Sequence, residues 1–114
     1  MRFELFSLLL VVFMAFVAAR EQILLGGYSP IKNLNDPHVI DIAKFAVTEF
    51  NKQIGATLKF DKVIKGESQV VSGTNYRLII TTSNSVPNTY QAVVYENPWE
   101  HVRNLTSFTI VKTN

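Results

Sequence analysis

The sequence predicts an α+β domain in which one long helix packs on a four- to five-stranded antiparallel sheet. Three observations lead there. One stretch, following Asp36-Pro37, carries apolar residues at helical spacing. Past Gly55 the chain turns to aromatic and β-branched runs separated by three turn signals. Finally, 114 residues with no cysteine suit a single domain held together by its own core.

Residues 1–19 stand apart from the rest. Sixteen of these 19 are apolar, whereas the remainder has the 40% expected of an ordinary soluble domain. Arg2 gives a weakly basic start, the run from Leu5 to Ala19 is broken only by Ser7, and Val17-Ala18-Ala19 places small residues for signal peptidase. About 15 apolar residues fall short of the ~20 a membrane-spanning helix needs. The expectation is a signal peptide over 1–19, cleavage before Arg20, and a secreted domain over 20–114, in the apoplast or the vacuole. No membrane attachment is expected after cleavage. Arg2 and Glu4 cancel, so the mature chain keeps the +2 charge of the whole.

The elements follow in order. Arg20 to Asn35, with Gly26-Gly27 and Pro30, reads as an extended arm. Asp36-Pro37 is a helix start, since Asp accepts from first-turn N–H groups and Pro suits the first helical position. Val39, Ala43, Ala46, Val47, Phe50 and Ile54 then form the inward stripe, opposite Asp41, Lys44, Thr48 and Lys52. The helix should end near Gln53, before Gly55. Strands are expected over 57–68, with a bulge at Asp61-Lys62 where the alternation slips, and over 74–82, 90–95 and 102–111.

A meander puts alternate turns at alternate ends of the sheet. The turns at 69–73 and 97–99 therefore share one end, roughly 10 Å apart, and the Ser- and Asn-rich turn at 83–88 occupies the other. The shared end carries Val70, Val71 and Trp99. Apolar residues clustered on hairpin tips suggest a binding surface, the alternative being that Trp99 folds back onto the core.

These segments resemble the plant cystatins, inhibitors of papain-like cysteine proteases. Gln69-Val70-Val71-Ser72-Gly73 is similar to the family's Q-x-V-x-G loop, Pro98-Trp99 to its second loop, and Gly26-Gly27 to the glycine pair of its trunk. Ile42 to Asn51 fits the plant signature L-A-R-F-A-V-x-E-x-N with conservative changes. The resemblance implies a cystatin fold and a wedge that occludes the protease cleft reversibly and without a covalent bond. Its edge would be Gly26, Gly27, Gln69, Val70, Val71, Ser72, Gly73, Pro98 and Trp99. It implies papain-like proteases as partners, a monomer, and no cofactor. With the sequence ending at Asn114, the expectation is a cystatin without the extension with which larger plant cystatins meet legumain-type proteases.

The rival readings are weaker. No G-x-S-x-G, H-E-x-x-H or phosphate-binding glycine loop is present, and His38 with Asp41 three residues on is an ordinary surface pairing, so no enzyme and no catalytic residue is expected. With two histidines and no cysteine, no metal site is expected either. Lys59, Lys62 and Lys65 are interleaved with Asp61 and Glu67, so no basic stripe for nucleic acid stands out. The serious alternative is a cystatin-fold binding or storage module without inhibitory activity. Asn104-Leu105-Thr106 is a glycosylation sequon, set in an expected strand.

Overall fold

The computed structural model describes residues 27–112, so the leader at 1–19 and Gly26 lie outside the described residues. The order is β1 (Ser29–Pro30), α1 (Pro37–Ile54), β2 (Phe60–Val71), β3 (Gly73–Thr82), β4 (Thr89–Asn97), a 3₁₀ turn (Pro98–Glu100) and β5 (Val102–Ile110). The sheet is an antiparallel meander in sequence order, β1-β2-β3-β4-β5, with α1 across one face.

The helix begins as its sequence dictates. The Asp36 carboxylate accepts from the His38 N–H at 2.8 Å, with Pro37 in the first turn. It ends at Gly55, whose φ of +72° suits glycine and whose N–H donates to the Asn51 carbonyl. Val39, Ala43, Ala46 and Val47 are buried as their spacing requires, and Ile42, which that stripe left out, is fully buried as well. Ile54 departs from expectation. It is the last helical residue and is 62% exposed, lining an open apolar groove with Phe50, Tyr90, Phe108 and Ile110. Leu78, Ile80 and Val94 meet the helix from β3 and β4 and close the core.

The start of β2 also differs. Residues 57–59 stand outside the strand, because side-chain amides take most of their backbone groups, while the Lys59 carbonyl accepts from the Ser83 N–H at 3.0 Å. Asn51 bonds both the N–H and the carbonyl of Leu58, at 3.0 and 2.9 Å. Asn84, from the far turn, accepts from the Lys59 N–H and donates to the Thr57 carbonyl, each at 2.8 Å. The strand proper starts at Phe60, carries the expected register slip between Phe60 and Lys62, and slips again between Val63 and Lys65.

The arm before the helix is more than a leader to it. Ser29 pairs with Ser68 and Pro30 with Glu67, giving the sheet its fifth strand. The chain then crosses over Gly66, where Ile31 donates to the Gly66 carbonyl at 2.9 Å. A Cβ on Gly66 would stand 3.0 to 3.1 Å from the side chains of Leu34, Ile31 and Leu78, so the glycine lets this segment lie close on the sheet.

Candidate functional site

The first tip is tighter than its composition suggests. Gln69, Val70 and Val71 belong to β2 rather than to the turn, and Val71 pairs directly with Gly73, leaving Ser72 alone at the bend. Backbone at this end continues the ladder, which holds the apolar pair in fixed orientation. Val70 is 71% and Val71 44% exposed. Gln69 lies opposite Asn75, whose amide donates to its side-chain oxygen at 3.2 Å.

The second tip is a capped 3₁₀ turn. The Asn97 side chain accepts from the Trp99 N–H at 3.1 Å, Pro98 fills the first position, and His101 closes the turn at φ +55° with its N–H on the Pro98 carbonyl. Trp99 is 91% exposed, so the alternative in which it folds back onto the core is not what the structure shows. A rigid turn thus holds a bare indole outward.

The two tips are more than neighbours at one end of the sheet. They are bonded to each other through one acceptor. The Ser72 carbonyl receives the Tyr95 hydroxyl at 2.7 Å and the Asn97 amide at 2.8 Å. The sequence marks Asn97 only as the first residue of the turn at 97–99 and marks Tyr95 only as the end of a strand, so neither shows this part beforehand. Gly73 completes the joint. Its φ is +144°, and a Cβ there would stand 2.6 Å from the Tyr95 hydroxyl and 2.7 Å from the Glu96 carbonyl.

Beneath the second tip lies an ion-pair network. Glu96, 7% exposed, accepts from Arg103 at 2.6 Å and pairs with His38 at 2.7 Å, while Arg103 also reaches Asp41 at 3.0 Å. His38 therefore pairs across to β4 and not with Asp41 on its own helix. Burial pushes the Glu96 carboxyl up, but the hydrogen bonds and charges of Arg103 and His38 outweigh it and hold the group below the usual carboxylate range. The network ties the first turns of α1 to β4 and β5 where the second tip emerges.

The trunk is fastened beside the first tip. The Arg77 guanidinium lies 3.9 Å from the Tyr28 ring centre and is itself held by Glu67 at 2.7 Å. Because 29 pairs with 68 and 30 with 67, the arm runs toward the level of Val70 as it reaches Gly27. Gly27 is exposed, and no described atom stands within 4 Å of where its Cβ would be. Its own fold places no demand for glycine there, in contrast to Gly73.

Helix signature, exposed Gly27, and two bonded tips on one sheet end now stand together, and similar proteins agree with them. A family model described as "Aspartic acid proteinase inhibitor" matches residues 31–111. "Cysteine proteinase inhibitor 1" of Actinidia chinensis var. chinensis is 50% identical over 93 residues, covering 81% of this chain and 80% of the relative. The chain belongs to the plant cystatins. "Cysteine proteinase inhibitor 5" of Arabidopsis thaliana is 46% identical over 106 residues, covering 91% of this cystatin and 85% of the relative. Mialostatin, a gut cystatin from the hard tick Ixodes ricinus, shares the fold at a TM-score of 0.65 and 17% identity, over 77% of this chain and all of its own. The cystatin fold and the non-enzymatic character of the family thus match the sequence reading.

Proposed function

We propose that this cystatin inhibits papain-like cysteine proteases reversibly, as a monomer, by seating Gly26, Gly27, Val70, Val71 and Trp99 in the active-site cleft. The observation that carries the reading is the end of the sheet itself. Large apolar side chains stand in water there on backbone that is locked by hydrogen bonds. An unbound protein gains nothing from leaving an indole 91% exposed, whereas a partner's cleft that takes it up gains a large rigid anchor. Locking the tips beforehand lowers the ordering cost of binding.

Each element has a part in this reading. Gly27 lets backbone pass close to the catalytic thiol, a closeness its own fold does not require. Val70 and Val71 give apolar contact, Gln69 and Ser72 set the first tip, and Pro98 stiffens the second. In this reading the complex is held by contact, without a covalent bond.

The test is an assay of residues 20–114 against papain and, because the matching family model bears an aspartic proteinase description, against pepsin as well. Stoichiometric, reversible loss of papain activity at nanomolar to micromolar inhibitor supports the reading. Inhibition of pepsin with papain untouched would overturn the target class. Full activity of both would favour the binding or storage module.

A further inference from the structure

We propose that Asn104 carries an N-linked glycan that stands on the outer face of the sheet, on the side away from the helix. The sequon Asn104-Leu105-Thr106 lies in β5, the last strand of the sheet order, with no described strand beyond it. Asn104 is directly opposite Tyr95, while its neighbours Arg103 and Leu105 are opposite Glu96 and Val94. Glu96 and Val94 are buried on the helix side. Directly opposed residues share a face. Asn104 therefore points away from the helix, to the side where Tyr95 sits.

Three features make that position fit for a glycan. Asn104 is exposed, and its side chain makes no hydrogen bond to any described residue, so modification removes no contact. Leu105, between the two sequon residues, packs against the core and fixes which way Asn104 faces. The ladder slips at Val93/Val94, leaving Thr106 unpaired, and the Thr106 hydroxyl donates to the Val93 carbonyl at 2.9 Å. That hydroxyl, which defines the sequon, is occupied in the folded chain. Transfer therefore precedes completion of β5, and the fold then accepts the product.

The step needs passage into the secretory pathway, for which residues 1–19 have the composition, and a polyprenyl-pyrophosphate-linked oligosaccharide as donor. The Asn104 amide nitrogen forms a bond to the anomeric carbon and gives up one proton. The bond from that carbon to the pyrophosphate oxygen breaks, and the polyprenyl pyrophosphate leaves. No oxidant or reductant is involved. Protease inhibition plays no part in the argument.

The chain of residues 1–114, translated with plant microsomes, tests this directly. The expected result is a protease-protected product with the mobility step of one glycan, absent from Asn104→Gln and from Thr106→Val. Peptide-N-glycosidase should remove the glycan from native, folded protein, since it faces solvent. A protected product of unmodified mass would overturn the site. A product left unprotected would overturn it too, because the donor is then out of reach. Release only after denaturation would overturn the outward placement.

Discussion

The Asn97 side chain holds the Ser72 carbonyl at 2.8 Å through its amide while its oxygen takes the Trp99 N–H at 3.1 Å. One buried carboxamide thus touches both tips of the wedge. Removing it leaves the Trp99 N–H unpartnered and the Ser72 carbonyl dependent on Tyr95 alone.

Asn97→Ala should therefore lower stability by about 1–2 kcal/mol and weaken papain binding about tenfold, through faster dissociation. Asn97→Asp keeps the acceptor for Trp99 and loses the donor to Ser72, so it should recover only part of the affinity. Melting curves and dissociation rates for both variants check this. A fall in melting temperature with unchanged dissociation would mean that Asn97 serves the fold and not the wedge.

Two glycines of the wedge should behave oppositely. Gly73→Ala places a methyl 2.6 Å from the Tyr95 hydroxyl at a φ of +144°, so it should destabilise the fold by about 1–3 kcal/mol and loosen both tips. Gly27→Ala meets nothing in its own fold and should melt like wild type. Equal melting temperatures for the two variants would contradict the close approach at Gly73.

Stability should fall on acidification through one identifiable group. The Glu96 carboxyl is held below its ordinary value of 4.5, so the folded state binds its proton less readily than the unfolded state does. Its contribution is present in full above that ordinary value and disappears as pH falls through the lower folded value. Glu96→Gln should be less stable than wild type at neutral pH, with the difference shrinking below about pH 4.5. Denaturant midpoints measured across this range give the answer. A difference that does not change with pH would remove Glu96 from the acid response.

The helix, the bulge and the sheet order were legible because each rests on local pattern: a cap, a stripe, a lost alternation. What the sequence withheld is non-local. Asn51 and Asn84 strip residues 57–59 of ladder bonds from 7 and from 25 to 27 positions away. Ser29 and Pro30 become a strand only because β2 offers its edge. At the site, Val70, Val71 and Trp99 announced themselves by being apolar in turn-like surroundings. Tyr95 read as an ordinary strand residue and Asn97 as an ordinary turn residue until β3 and β4 brought them to Ser72.

The wedge also predicts how binding energy divides along its edge. Trp99 is almost wholly exposed, so Trp99→Ala should leave the melting curve unchanged and cost roughly 2 kcal/mol or more in affinity, mainly through faster dissociation. Replacing Gly27 by a bulky residue removes no anchor. It should introduce a clash inside the cleft, hurting binding most for proteases with narrow clefts and leaving folding untouched. Lys62, exposed on β2 toward the far end of the sheet, is the control, and Lys62→Ala should shift affinity by only a few tenths of a kcal/mol. Measured against one protease, the three variants separate an edge from a face. If Lys62→Ala costs as much as Trp99→Ala while both remain folded, the protease sits on the sheet and the two tips are not its binding site.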